Sequence, residues 1–325
     1  MSETPPSAPG STVTDGLRLA IGTLSVFPVR PGTIDRRAGG VAMTAAPFVG
    51  AVLGVCCAAV LAGALWLGLA PLLASALAVA ALALLTRGLH LDGLADLADG
   101  LGSGRPAEQA LDIMKRSDIG PFGVVTLLLT LLVQVAALSE VTASGAGPVA
   151  LVTACAAGRL ALTWACRTGV PAARPGGLGA LVAGTVRRGP ALAVTALVLL
   201  GAAALPPAYA AGVLDAPLLP FPGDSSFHEL SPGLVYPVPE EVWGRSATVL
   251  YGQAPADTDT GGLAVPFGSY TWLLGPPLAV VAALSAAWAL RRRAVRRLGG
   301  VTGDVLGALV EIATTAALVV CAAVL

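Results

Sequence analysis

Three aspartates have the spacing expected of a metal site. Asp92, Asp96 and Asp99 stand at positions i, i+4 and i+7, which places them within about 60° of one another on one face of an α-helix. Like charges so arranged repel one another unless a cation lies between them. Carboxylate oxygens favour Mg²⁺, with Mn²⁺ as the second choice. We therefore predict that all three aspartates are metal ligands and catalytic residues.

The residues around these aspartates fit an anionic ligand better than a solvated acidic helix face. A solvated face would carry basic residues nearby, yet none lies between Arg87 and Arg105. Gly93 and Gly100 let the backbone approach a bulky ligand, so we predict that they contact a phosphate-bearing substrate. For His90, a catalytic role as general base, a hydrogen bond to the ligand and a satisfied core histidine all remain open.

A second acidic pair lies near the end of the chain. Asp304 and Glu311 are seven residues apart and therefore share a helix face. Glu311 lies within an apolar run, where an ionisable side chain is costly and often functional. We predict that both complete the metal site, although a neutral carboxyl group bonded to a neighbouring helix is an equal alternative for Glu311. Arg159, also within an apolar run, either binds a substrate phosphate or forms a structural ion pair.

Composition indicates that these residues are carried by membrane-spanning helices. The mean hydropathy is +0.81, and only 12% of residues are charged, about half the fraction found in soluble domains. The formal net charge is zero, so there is no basic balance that would suggest binding of nucleic acid. The five cysteines fall within apolar runs without metal-ligand spacing, so we interpret them as small apolar residues. The predicted fold class is all-α and polytopic.

Apolar runs of roughly 17–25 residues predict about seven transmembrane spans. They lie near residues 41–69, 71–88, 121–138, 147–166, 190–214, 271–290 and 305–325. With the N-terminus inside, every lysine and arginine except Arg245 falls on the inner side or within a span. The positive-inside rule therefore predicts a cytoplasmic N-terminus and places the acidic residues on the cytoplasmic face.

We divide the chain into a lead-in and one membrane domain. Residues 1–15 are polar and rich in proline, and they lack the apolar core of a signal peptide, so we predict a disordered lead-in. Residues 16–325 are predicted to form a single integral membrane domain that starts with an interfacial or re-entrant helix at 16–28. Residues 215–270, rich in Pro, Gly and Ser, are predicted to be a long extracytoplasmic loop.

Three blocks of sequence have the order and spacing of a known family. They are Thr86-x-Gly88-x-His90-Leu91-Asp92-Gly93-Leu94-Ala95-Asp96-x-x-Asp99-Gly100, Ile113-Met114-x-x-Ser117-x-Ile119-Gly120-x-Phe122-Gly123 and Gly299-Gly300-x-Thr302-Gly303-Asp304-x-x-Gly307-Ala308-x-x-Glu311. In these blocks the chain resembles the cobalamin synthase family, also called adenosylcobinamide-GDP ribazoletransferase. One departure is Arg116-Ser117-Asp118, where the family commonly has Asp-Ser-Arg. Of these three residues we carry over Ser117 alone, as a substrate-binding residue.

The resemblance implies a Mg²⁺-dependent transferase of the bacterial cytoplasmic membrane with a cytoplasmic active site. The ribose hydroxyl of α-ribazole, or of its 5′-phosphate, would attack the cobinamide-side phosphate of adenosylcobinamide-GDP. The products would be GMP and adenosylcobalamin or its 5′-phosphate. The implied partners are these two substrates and the lipid bilayer. The sequence does not fix the oligomeric state, and a homo-oligomer is one option.

Two other functions remain as alternatives. Asp96-x-x-Asp99-Gly100 also resembles the start of the acidic motif of CDP-alcohol phosphotransferases, but the Ala-Arg pair and the two later aspartates of that motif are absent. A cation-coupled transporter could use the same aspartates and Glu311. Such a transporter would be expected to hold its acidic residues near the bilayer midplane, whereas most of them here are predicted at a helix end. The phosphotransferase is therefore the first alternative.

Overall fold

The computed structural model describes residues 11–210, except Pro31, and residues 268–325. Within these ranges the chain forms α-helices and no β-strand beyond isolated bridges, so the predicted all-α fold is confirmed. The helices are α1 (Val13–Leu24), α2 (Arg36–Trp66), α3 (Pro71–Leu85), α4 (Leu89–Gly102), α5 (Ala107–Ile113), α6 (Pro121–Ala143), α7 (Gly147–Ala165), α8 (Gly177–Val182), α9 (Arg188–Ala210), α10 (Gly268–Leu298) and α11 (Gly303–Val324).

Six of these helices are long and apolar enough to cross a membrane, namely α2, α6, α7, α9, α10 and α11. Helix α3, which has 15 residues, occupies the predicted second span, and counting it with α4 raises the number to seven. The protein is therefore a multi-pass membrane protein, as predicted. Helix α4 leaves α3 at an angle of 88°.

The turn between α3 and α4 has a backbone cause. Arg87 and Gly88 have φ angles of +56° and +66°, in the left-handed region where an α-helix cannot continue. The side chain of Arg87 stabilises this turn by donating to the carbonyl oxygen of Gly22, at 2.8 Å. The predicted apolar run to residue 88 is consequently three residues longer than the helix that it forms.

The N-terminal helix begins earlier than predicted. The lead-in was predicted to extend to residue 15, but α1 starts at Val13, where Thr12 and Asp15 form a capping box. The backbone N–H of Asp15 donates to Oγ1 of Thr12, and the backbone N–H of Thr12 donates to the Asp15 carboxylate, so two otherwise unpaired donors at the helix start are satisfied. Residues 1–10 and most of the predicted outer loop 215–270 lie outside the described residues.

Helix α7 is the centre of the bundle, and glycines set its distance from α2. In the most apolar stretch of α7, 83% of the residues are buried inside the protein. A methyl group added to Gly54 of α2 would lie 2.7 Å from Cα of Val152, and one added to Gly50 would overlap the carbonyl oxygen of Cys155. Such close backbone approach is typical of helix pairs in membranes, where small residues provide the contact surface.

Candidate active site

A cavity of about 300 Å³ lies at one end of the bundle. Its walls come from the first turns of α4 and α11, from residues 174–179 and 301–303, from the last two residues of α1, and from single residues of α2 and α7. Two aspartates from opposite ends of the sequence, Asp92 and Asp304, both line it. The acidic ends of α4 and α11, which the sequence predicts to lie together, therefore both contribute to this cavity.

Close packing of α4 against α11 brings these two aspartates together. A methyl group on Gly93 would lie 2.9 Å from Cα of Asp304 and 2.8 Å from its carbonyl oxygen. A methyl group on Gly307 would lie 3.2 Å from Cα of His90. One glycine on each helix thus permits backbone contact. Gly93 was predicted to touch substrate, but its closest neighbour is the backbone of Asp304.

The start of α11 is fixed by its own cap. The hydroxyl group of Thr302 accepts the backbone N–H of Val305 at 3.2 Å and donates to Oδ2 of Asp304 at 3.2 Å. An N-cap threonine satisfies a backbone donor that the helix itself leaves unpaired. The side chain of Thr302 therefore both starts α11 and orients the carboxylate of Asp304.

The cavity carries an excess of negative charge. Asp96 lies one turn beyond Asp92 in α4, outside the six long spanning helices, and is half-buried. Burial, followed by the charges of Asp92, Asp304 and Asp99, raises the pKa of Asp96 to about 7. The charge of Arg174 lowers it in turn. Carboxylates that repel one another in this way favour binding of a cation, which would hold Asp96 in its ionised form.

The carboxylates that surround the cavity do not form a closed metal cage. In the described part of the chain, no three His, Cys, Asp or Glu side chains are placed to hold one metal ion together. Asp92, Asp96 and Asp304 are electrostatic neighbours. This arrangement fits a cation that takes one or two carboxylates from the protein and its other ligands from water and substrate phosphates, as Mg²⁺ commonly does.

Asp99 has a structural role rather than the predicted metal-binding and catalytic one. Its side chain is buried, and its two oxygens accept the backbone N–H groups of Gly120, at 2.7 Å, and Gly123, at 2.9 Å. These donors are at the start of α6, where a carboxylate also interacts favourably with the helix dipole. Asp99 does not line the cavity, so we reassign it as the residue that joins α4 to α6.

We expect Asp99→Asn to destabilise the protein by about 2 kcal/mol, since an amide cannot accept both N–H groups as well as a carboxylate does. The measurement is the thermal midpoint of the purified protein in detergent. Asp112→Asn, at an exposed carboxylate on α5 paired with Lys115, is the matched control. An unchanged midpoint combined with complete loss of activity would restore the catalytic assignment of Asp99.

Glu311 lies away from the cavity. It shares a face of α11 with Asp304, as predicted, but seven residues of helix place it about 10 Å further along the axis. Its carboxyl group is buried and accepts a hydrogen bond from Nε2 of Gln134 in α6, at 2.9 Å. The structure thus supports the alternative in which this group is bonded to a neighbouring helix, and the predicted role as a ligand of the same metal is corrected.

Arg159 and His90 form a buried pair beside the cavity. Nη2 of Arg159 lies 3.4 Å from Nδ1 of His90. A guanidinium group only donates, so Nδ1 is the acceptor and Nε2 carries the proton. Nε2 has no protein partner among the described residues, and His90 lines the cavity. Of the three roles left open for His90, this geometry favours a hydrogen bond donated by a neutral ring, and Arg159 positions that ring rather than lining the cavity itself.

The remaining predicted substrate contacts lie elsewhere. A methyl group on Gly100 would meet Sδ of Met114 at 2.8 Å, so Gly100 packs against the end of α5. Ser117 is exposed between α5 and α6 and does not line the cavity. Sequence reasoning missed Arg174 and the glycines that follow it, which do line the cavity. Their signal was an arginine followed by a Gly-rich run in a predicted inner loop.

Fold and cavity together define a polytopic helical membrane protein with an acidic cavity at one end of its bundle. A family model described as cobalamin-5-phosphate synthase matches residues 16–222 and 235–322. The chain belongs to this family, and the resemblance seen in its sequence is confirmed.

Curated relatives agree with the family over nearly the whole chain. A protein of Frankia casuarinae named adenosylcobinamide-GDP ribazoletransferase is 38% identical over 314 residues, which is 94% of this chain and 93% of the relative. A protein of a Nocardioides species with the same name is 34% identical over 310 residues, 95% of this chain and 99% of the relative. No solved structure matches the chain.

Proposed function

We propose that this protein is an adenosylcobinamide-GDP ribazoletransferase. It would join adenosylcobinamide-GDP to α-ribazole, or to its 5′-phosphate, and release GMP with adenosylcobalamin or its 5′-phosphate. The observation that carries the proposal is the cavity in which Asp92 and Asp304 meet, in a chain similar over its length to relatives of that name. Two carboxylates beside one basic residue suit a reaction at a pyrophosphate.

The residues that line the cavity, and Asp96 beside it, have distinct tasks in this reaction. One or two of the carboxylates of Asp92, Asp304 and their neighbour Asp96 would hold Mg²⁺, which when bound offsets the negative charge of the pyrophosphate. Arg174 offers a guanidinium group to a phosphate oxygen. The N–H group at Nε2 of His90 donates a hydrogen bond to the substrate. The hydroxyl proton of the attacking ribose passes to a carboxylate of the same cluster.

The direct test is to incubate the purified protein with adenosylcobinamide-GDP and α-ribazole, with and without Mg²⁺, and to quantify nucleotides and corrinoids chromatographically. We expect GMP and adenosylcobalamin in equal amounts, and only with the divalent cation. Parallel reactions with α-ribazole 5′-phosphate identify the preferred acceptor. Release of CMP from CDP-alcohols, without GMP release from adenosylcobinamide-GDP, would support the phosphotransferase alternative and overturn the proposal.

We further propose that the cavity faces the cytoplasm. The ends of α3, α5, α7 and α10 nearest to the cavity carry many basic residues, including the run Arg291–Arg297. Basic residues flank the cytoplasmic ends of membrane helices. Both substrates are large and charged, so a cytoplasmic opening also gives them access without crossing the membrane.

Single cysteines test this orientation. We expect Thr258→Cys to react in intact cells with a maleimide that cannot cross the membrane, because residues 215–270 are predicted outside. We expect Lys115→Cys, an exposed position near the cavity end of the bundle, to react only after lysis. The unsubstituted chain, whose cysteines are mostly buried, gives the background. The reverse labelling pattern would invert the topology.

A further inference from the structure

A second cavity, of about 520 Å³, lies between α7, α9 and α10. It shares no lining residue with the acidic cavity. We call it the lateral cleft. Most of its wall is apolar, and its arginine and its two tryptophans are near one end. The proposed reaction gives this space no task, so it needs a separate explanation.

The length of the lateral cleft matches one leaflet of a membrane. Along α10 its wall runs from Val281 to Arg291, and ten residues of helix extend about 15 Å. This is about half the hydrocarbon thickness of a bilayer, roughly 30 Å. Val281 and Leu284 form the deep end, whereas Arg291 lies at the other end. The cleft is therefore apolar at the end that lies deeper in the membrane and cationic at the end that lies nearer to the membrane surface.

Two guanidinium groups lie beside Trp164 at this end of the cleft, that of Arg291 in the wall and that of Arg167 next to it. Arg291 donates from Nη1 to the carbonyl oxygen of Trp164, at 3.5 Å, and Arg167 lies over the ring of the same tryptophan, 6.0 Å from its centroid. The charges of Arg167 and Arg291 repel each other. Across the described residues neither forms an ion pair, and the buried Nε of Arg167 has no hydrogen-bond partner. An anion between them would relieve this repulsion.

Tryptophans frame the same end of the cleft. Trp164 and Trp288 both line it, Trp164 donates from Nε1 to Thr195 of α9 at 2.9 Å, and Arg292 lies 5.3 Å from the ring centroid of Trp288. Tryptophan rings favour the level of lipid headgroups. The aromatic and cationic groups therefore mark the depth at which a headgroup would lie.

We propose that the lateral cleft is a binding site for one anionic glycerophospholipid. An acyl chain lies along α10 from Ser285 to Val281, and the headgroup phosphate contacts Arg167 and Arg291. Basic pockets between membrane helices bind anionic headgroups in this way, whereas an uncharged headgroup leaves both cations unneutralised. Charge complementarity thus selects an anionic lipid over other apolar occupants. The site is independent of the proposed reaction.

Native mass spectrometry of the delipidated full-length protein tests this site. Phosphatidylglycerol and phosphatidylcholine with identical acyl chains are titrated separately. We expect phosphatidylglycerol to bind at least about tenfold more tightly, and we expect Arg291→Gln and Arg167→Gln each to weaken this preference about fivefold. Arg293→Gln, the same charge change at an exposed position of α10, should leave the preference unchanged.

A second variant tests the apolar part of the cleft. Ser285→Phe adds bulk to the wall without changing charge, so we expect it to weaken binding of both lipids. Equal affinity of the wild-type protein for the two lipids would overturn the proposal. So would an equal effect of Arg291→Gln and Arg293→Gln. Failure of the wild-type protein to retain any lipid, as when another part of the chain or a second copy fills the cleft, would overturn it as well.

Discussion

Replacing Asp92 or Asp304 by asparagine should lower turnover at least about a thousandfold, the scale seen when a charge-stabilising group is removed from an active site. Both residues line the same cavity, and each neutral amide would remove one of the few carboxylates available to a cation. Asp92 is exposed, so its replacement should leave the fold intact. The measurement is GMP release from adenosylcobinamide-GDP by the purified variants.

The control for these variants is Asp112→Asn, which removes an exposed carboxylate outside the cavity. It should retain wild-type turnover. The concentration of Mg²⁺ that gives half-maximal activity provides a second readout, and it should rise in any Asp92 or Asp304 variant with residual activity. Turnover within threefold of wild type in both variants would remove the cation from the proposed chemistry.

Gly93→Val should reduce activity by at least about a hundredfold and lower stability by about 1–3 kcal/mol. A side chain at this position overlaps the backbone of Asp304, and a backbone cannot move aside as a flexible side chain can. Helix α4 must therefore shift relative to α11. A displacement of about 1 Å at a reacting group is enough for a loss of this size.

The matched control for this variant is Gly63→Val in α2, because a methyl group there would meet no other part of the described chain within 4 Å, apart from its own helix. Activity and thermal midpoint should both stay close to wild type. The comparison separates the close contact at Gly93 from the general cost of valine for glycine in a helix. Half or more of wild-type activity in Gly93→Val would show that the distance between α4 and α11 does not determine catalysis.

Much of the fold follows from sequence because lipid imposes simple rules. Apolar length predicts spans, and helical spacing correctly predicted that Asp304 and Glu311 share a face. Spacing along one helix does not show which residues of the other helices lie at the same level. The distance between Glu311 and the cavity therefore could not be predicted. The end of α3 was also missed, because it depends on a left-handed backbone at Arg87, a residue type with no preference for that conformation.

The role of a site residue was harder to predict where its side chain bonds to a residue that is distant in the sequence. Asp99 has the spacing of its neighbours, yet both its oxygens are taken by the start of α6. Nothing in the local pattern shows that Gly120 and Gly123 present free N–H groups to it. His90 was similarly ambiguous until Arg159, 69 residues away in sequence, determined which ring nitrogen accepts.

The packing of α4 on α11 also sets the order in which the protein becomes functional during synthesis. Asp92 lies in the first third of the chain, whereas Asp304 lies near its end. A ribosome must therefore reach α11 before the second wall of the cavity exists. A chain that stops before α11 can insert most of its spans, but it lacks Asp304, Thr302 and the contact to Gly93. Incomplete translation products left in the membrane would consequently be inactive.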